Sequence, residues 1–197
     1  MRLTGILLIL TLIISSCVNT RYVYQVDKGK SLDFSSGKWI LNKPHTDGKI
    51  AHLEEIAVRE FRSIIKDSLF EIEDLNGEHL IGSKLPYNLS KDNLNDLRVG
   101  TDCDFLINYK VDILNDGLNS LSAPPPIGTV RKINEVLVEI SIYDIAKSEV
   151  LSRTSIIGKA KLDISEDDSG WDIADTPEII SRKALSNLIN QYRQNKK

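Results

Sequence analysis

An α+β fold, a mixed β-sheet with helices packed against it, is predicted by two features of the 197-residue sequence. Some stretches repeat apolar residues every three or four positions, as helices do, and others alternate apolar with polar residues, as strands do. These patterns succeed one another as strand, helix, strand, helix, three strands, helix, which is the succession of a sheet covered by helices. Composition supports one domain over residues 37–197: 41% of the chain is hydrophobic and 27% charged, enough apolar surface for a single core.

The elements follow in order. Lys38-Trp39-Ile40-Leu41 reads as a short strand, halted by Asn42-Lys43-Pro44 and a polar loop to Gly48. A helix is predicted next, because Leu53, Ile56, Ala57, Phe61, Ile64, Ile65 and Leu69 form one apolar stripe while Glu54, Glu55, Arg59, Glu60, Arg62 and Lys66 take the other side. Phe70-Glu71-Ile72-Glu73 alternates as a strand before the Asn76-Gly77 turn. Ser90 is placed to cap a short helix carrying Leu94, Leu97 and Val99, with Gly100 at its end. Phe105 to Leu114 is the next strand, and a long polar, proline-rich connection from Asn115 to Lys132 follows.

A hairpin is the clearest β signal: Val136, Val138, Ile140 and Ile142 alternate with Leu137, Glu139, Ser141 and Tyr143, residues 144–148 turn the chain, and Glu149 to Lys161 returns. After an acidic loop, Ser165 to Asp175, the triplet Thr176-Pro177-Glu178 opens a final helix with an N-cap, a proline at the first helical position and a carboxylate in the first turn. Its stripe is Ile180, Ala184, Leu185, Leu188, Ile189 and Tyr192.

The first 16 residues have a different character. Arg2 supplies a positive start, Gly5 to Ile14 an apolar run, and Ser15-Ser16 a small-residue flank: the three regions of a secretory signal, too short for the roughly 20 apolar residues of a spanning helix. Ile14-Ser15-Ser16-Cys17 resembles the lipobox of bacterial lipoproteins, which implies cleavage before Cys17 and lipidation of that cysteine, anchoring the chain to a membrane. Residues 17–36 then read as the lipidated cysteine and a short tether, which could span at most about 70 Å. Tyr22, Val23, Tyr24 and Val26 are more apolar than a free linker, so part of this tether is a candidate edge strand. Valine rather than aspartate at position 18 points, by analogy with sorting rules, to the outer membrane, facing the periplasm.

With Cys17 acylated, Cys103 is the remaining thiol. It lies in Asp102-Cys103-Asp104 ahead of an apolar strand and reads as inert, since neighbouring carboxylates raise a thiol pKa. No internal disulfide is then available. A formal charge of −3 and 6% aromatic residues give neither a basic footprint nor a base-stacking platform, so neither nucleic acid nor an anionic membrane surface is an expected partner of the bare chain.

The three histidines, His45, His52 and His79, lack zinc-helix spacing, and no Gly-x-Ser-x-Gly elbow occurs. In the acidic loop, the register that puts Gly170 at the sixth position of a calcium loop puts Thr176 where the bidentate glutamate belongs. No catalytic residue, metal site or cofactor is therefore assigned. Two features remain as candidates for partner binding. Trp171 either folds back on the core or stands out as a contact anchor, and Pro124, Pro125 and Pro126 form either a stiff spacer or an extended docking segment.

The element order and local wording resemble a family of envelope domains. Trp39-Ile40-Leu41, Phe70-Glu71-Ile72, Gly100-Thr101-Asp102-Cys103-Asp104-Phe105 and the hairpin Ile142-Tyr143-Asp144 to Glu149-Val150-Leu151 are similar to the periplasmic domain shared by curli-secretion lipoproteins (CsgG type), lipoprotein activators of penicillin-binding proteins (LpoB type) and the N-terminal domain of TolB, over about residues 37–192. Asn42-Lys43-Pro44 stands where that family has Pro-Phe. The resemblance implies a non-enzymatic module that binds another envelope protein as an adaptor, assembly factor or activator. The Asn115 to Lys132 connection cannot supply two membrane strands of about 9–11 residues each, which argues against a pore. The alternative is a lipid-anchored periplasmic hydrolase or small-ligand carrier, which a deep cleft with convergent polar groups would favour.

Overall fold

Alternation decides the sheet. The computed structural model describes residues 20–29, 32–47, 50–75, 82–117, 130–164 and 174–194. Its strands are β1 (Arg21–Gly29), β2 (Trp39–Leu41), β3 (His45–Thr46), β4 (Leu69–Glu71), β5 (Phe105–Asp116), β6 (Val130–Asp144) and β7 (Glu149–Ile164). Its α-helices are α1 (Leu53–Ile65), α2 (Lys91–Gly100) and α3 (Pro177–Gln194). The sheet runs β1-β7-β6-β5-β2-β4, with β3 also paired to β5. Along β1, β7, β6 and β5 each strand is antiparallel to its neighbour, whereas β2 is parallel to both β5 and β4. The predicted α+β class with a mixed sheet is what the chain adopts.

One face of the sheet carries α1 and α3. Tyr109 and Val111 of β5, Val136, Val138 and Ile140 of β6, and Ile156 and Ala160 of β7 all point there, and all are fully buried with Phe61 of α1 and Ile180, Ala184, Leu185, Leu188 and Ile189 of α3. Strand residues two apart share a face, which is why these sets are spaced by two. Gly158 lets α3 come close: a Cβ there would lie 2.4 Å from Cγ2 of Ile180 and 2.9 Å from Cε1 of Tyr22. Arg193 of α3 also reaches Glu60 and the Ser63 hydroxyl of α1, at 2.7 Å each.

The outer face is covered only in part. Ile40, Leu106, Tyr143 and Ile145 pack with Ile72 and with Leu94 and Leu97 of α2. Ser90 caps α2 in a capping box with Asn93, as its position predicted. Buried Asn42 and Asn108 hold segment 82–90 over the sheet: Asn42 donates to the Leu85 carbonyl (3.0 Å) and to Oδ1 of Asn108 (2.9 Å), and Asn108 donates to the carbonyls of Pro86 and Tyr87. Such bonds satisfy polar groups that burial would otherwise penalise.

Four local expectations change. Leu69 continues the apolar period of the first helix in sequence, but α1 stops at Ile65 because Lys66 takes a positive φ of 63°, and Leu69 begins β4. Ile72 lies in a 3₁₀ turn (Ile72–Leu75) rather than in the strand. Val99, counted into the α2 stripe, is 79% exposed, because Leu94 and Leu97 alone face the sheet. His45–Thr46, read as loop, is a strand that continues the line of β2 along β5 past the break at Pro44.

Candidate functional site

Thr20 is where the described chain begins, and it is fastened to the fold. Its hydroxyl donates to Oδ2 of Asp175 at 2.6 Å, Lys183 of α3 pairs with the same carboxylate at 2.9 Å, and Nδ2 of Asn134 donates to the Asp175 carbonyl at 3.1 Å. Burial pushes the Asp175 carboxyl up, but Lys183 and the Thr20 hydroxyl outweigh it and hold the group below its ordinary range. Beside this cluster the Tyr22 hydroxyl is buried with no hydrogen-bond partner, and its pKa is pushed up to about 12, first by burial and then by the Asp175 and Tyr24 charges. The edge-strand reading of the tether is observed: Arg21–Gly29 forms β1, paired antiparallel to β7 from Arg21↔Lys159 to Gly29↔Ser152.

Cys17, Trp171, Pro124, Pro125 and Pro126 lie outside the described residues. Their flanks, however, are described and converge on one end of the sheet. β5 ends at Asp116, and the Gly117 amide donates to the Ile133 carbonyl; β6 opens with Val130 opposite Ile164, where β7 closes; Asp175 meets Thr20. The segments that contain the three prolines and Trp171, and the segment that leads to Cys17, therefore all leave the domain from the end where β1 begins. This convergence is invisible in the sequence, since it rests on pairings between residues more than 100 positions apart, such as Arg21 with Lys159.

On the outer face, next to this end, a groove of about 540 Å³ is lined by Arg21, Val23, Glu135, Ile157, Lys159 and Lys161. Glu135 pairs with Lys159 at 2.9 Å, while Arg21 and Lys161 have no ion-pair partner among the described residues. Further along the same face, Tyr87 donates to Glu139, the Ser141 hydroxyl lies 3.2 Å from it, and Lys110 sits 5.2 Å above its ring. Burial and then the Glu139 carboxylate raise the Tyr87 phenol well above its usual range.

A larger open groove of about 910 Å³ runs along α1, with Pro44, Ile50, Leu53 and Val58 below and Arg59 and Arg62 on its rim. Arg62 pairs with Glu71 at 3.0 Å, and Nδ1 of His52 lies 2.9 Å from the Glu55 carboxylate, so these polar groups of the rim have partners within it. His45 is half-buried against the Tyr87 ring, and burial followed by Lys84 lowers its pKa. Cys103 is half-buried; burial raises its pKa, with smaller contributions in the same direction from Asp102 and Asp104.

No protein-family model matches the sequence, and no curated protein matches it. Among solved structures, the chain is similar to the PelC dodecamer of Paraburkholderia phytofirmans at 11% identity, over 87% of this chain and 97% of that one, with a TM-score of 0.46. A neuraminyllactose-binding hemagglutinin homologue from Helicobacter pylori gives 15% identity, 85% and 87% coverage and a TM-score of 0.40. The lipoprotein GNA1162 of Neisseria meningitidis gives 10% identity, 81% and 99% coverage and a TM-score of 0.38. Scores below 0.5 at such identities leave the functional reading to the chain's own residues.

Proposed function

We propose that this chain is a lipid-anchored protein of the bacterial cell envelope that serves as a non-enzymatic adaptor or assembly module, binding another envelope protein through segments next to its membrane. The observation that carries the reading is Ile14-Ser15-Ser16-Cys17 behind a charged start and a short apolar run, with the fold taking hold of the chain only three residues later, at Thr20. Among the described residues no helix is long and apolar enough to cross a membrane, and a lipid at Cys17 supplies the attachment. One acyl group alone binds marginally, whereas several acyl chains hold a protein stably.

The adaptor role is supported by where the connections leave. A proline-rich stretch with Pro124, Pro125 and Pro126 and an acidic stretch with Trp171 both depart from the end of the sheet that leads to Cys17, so a partner in the same membrane lies within their reach. Tryptophan contributes disproportionately to protein interfaces, and proline-rich chain is already extended when it binds. The test compares wild type with Cys17→Ala and Trp171→Ala after crosslinking in intact cells. Cys17→Ala should leave the membrane fraction, and Trp171→Ala should stay there, folded, but lose the crosslinked neighbour. A wild-type chain that crosslinks to no envelope protein would sink the adaptor role.

The second reading, a small-ligand carrier or hydrolase, would place its ligand in the α1 groove, the larger of the two described here. Arg62→Ala with Glu71→Gln would then abolish ligand binding while leaving crosslinking unchanged.

A further inference from the structure

Two neighbouring parallel strands send the chain to opposite faces of the sheet. β2 and β4 pair in parallel, from Trp39↔Leu69 to Leu41↔Glu71. The connection after β2 enters α1, which packs on the face that also carries α3, whereas β4 continues into the Ile72–Leu75 turn, whose Ile72 packs with α2 on the outer face. Where adjacent parallel strands part in this way, a crevice opens beyond their carboxyl ends, and in open sheets such crevices hold ligands. The α1 groove lies at this point: Pro44 follows β2, His52 and Leu53 open α1, and Glu71 closes β4. Its volume of about 910 Å³ falls within the range of small-molecule sites.

Every ionisable group that lines the groove has a partner except one. Three carboxylates, Glu54, Glu55 and Glu71, stand there with two guanidiniums, Arg59 and Arg62, and the His52 imidazole. Arg62 is bound to Glu71, Nδ1 of His52 faces the Glu55 carboxylate, and Arg59 is bound to Glu60, which Arg193 of α3 also holds. Two lysines approach from outside: Lys43 senses the Glu54 charge but is bound to Glu73, and Lys84, in the segment on the outer face, donates to the Pro44 carbonyl at 2.9 Å. Glu54 is half-buried and has neither a hydrogen bond nor an ion pair among the described residues. Its place in the first turn suits the helix dipole, yet it borders an apolar floor of Ile50, Leu53 and Val58. The Tyr109 hydroxyl of β5 is likewise buried without a partner, and its pKa is raised first by burial and then by the charges of Glu54 and Glu71, two of the groove's carboxylates. A buried polar group left without a partner is one that a ligand or its water can complete.

We propose that the α1 groove binds a small organic cation, an ammonium or guanidinium on a short apolar stem, with its charge at Glu54 and its stem on Ile50, Leu53 and Val58. The cation supplies the partner that Glu54 lacks, and the stem covers the apolar floor. An anion would be repelled by Glu54, and a neutral apolar molecule would bury that carboxylate uncompensated, which is costly. This assignment names the ligand class for the small-ligand reading of the groove given above, and it rests on that reading.

The experiment uses the full-length protein as isolated from cells, with its Ile, Leu and Val methyl groups labelled for NMR, and titrates butylammonium, butyrate and butanol in turn at constant ionic strength. Butylammonium should shift the methyls of Ile50, Leu53 and Val58 saturably while those of Ile140, fully buried in the core, stay in place. Glu54→Gln should weaken its binding about tenfold, the loss of one charge-assisted contact, again with Ile140 unmoved. Equal affinity for butyrate or butanol, or an affinity unchanged in Glu54→Gln, would overturn the cation class and leave the groove standing as a ligand site. Much tighter binding of an end-blocked glycyl-lysyl-glycine than of butylammonium would assign the site to the side chain of a protein partner and overturn the small-ligand class. No saturable shift with any probe would overturn the proposal and the groove reading with it.

Discussion

The two ends of the sheet are built on different plans. At the turn end, β6 and β7 are joined by four residues, Ile145–Ser148, tied down by local bonds: the Lys147 amide and ammonium both bind Asp144, at 2.9 and 2.7 Å, and the Ile145 amide donates to the Asp104 carbonyl at 2.9 Å. Tyr143 and Ile145 close a small core beneath α2. At the opposite end the strands stop at unequal rungs, the N-terminal segment joins, and two long connections leave. One end is closed by a short turn, and the other is where the N-terminal segment and the long connections join the sheet.

Substitutions that break this contrast should rank accordingly. Ile145→Ala, at a fully buried position of the turn end, should cost about 2–5 kcal/mol in denaturant unfolding, the range for an emptied aliphatic site. Truncation of an exposed side chain toward the opposite end, Lys161→Ala, should stay within about 0.5 kcal/mol. A loss at Lys161 as large as that at Ile145 would erase the distinction between the ends. Gly158→Ala comes next, at about 1–3 kcal/mol, because its new methyl would meet Ile180 and Tyr22 and push α3 from the sheet. Thermal melts should show the loss.

Tyr22 sharpens the comparison at the anchored end, because its hydroxyl is buried without a partner. Tyr22→Phe should raise stability by about 1 kcal/mol, by removing a desolvated polar group that makes no bond. Its pKa of about 12 lies above the unfolded value of 10.0, so its contribution is intact below pH 10 and is lost as pH rises from about 10 through 12. Stability measured between pH 9 and 12 should therefore fall less steeply in Tyr22→Phe than in wild type. Smallest is Arg193→Gln, which breaks the pair with Glu60 between α1 and α3 and should cost roughly 0.5–1 kcal/mol. Arg193 pairing also holds the Glu60 carboxyl below its ordinary range, so this contribution is present above the unfolded carboxylate pKa and fades as pH falls through the lower folded value.

Much of the fold was legible because the deciding signals are local. Alternation along Val136 to Ile142, the stripe from Ile180 to Tyr192 and the Ser90 cap each follow from residues a few positions apart, and each forms where expected. β3 is two residues long, too short for any period to show. The end of α1 depends on the left-handed φ of Lys66, which no glycine announces. Pairing of Arg21 with Lys159 is a long-range choice, so the tether showed its apolar character without its register. For the candidate site, the lipobox-like run, the prolines and Trp171 were legible as chemistry, whereas the convergence of their flanking residues on one pole follows only from the sheet order.

The most direct measurement is the intact mass of the protein extracted from membranes, beside Cys17→Ala prepared in the same way. Loss of residues 1–16 together with added acyl mass in the wild type, and its absence in the variant, is the predicted result. A wild-type chain recovered from the soluble fraction, cut elsewhere and without acyl mass, would contradict the account.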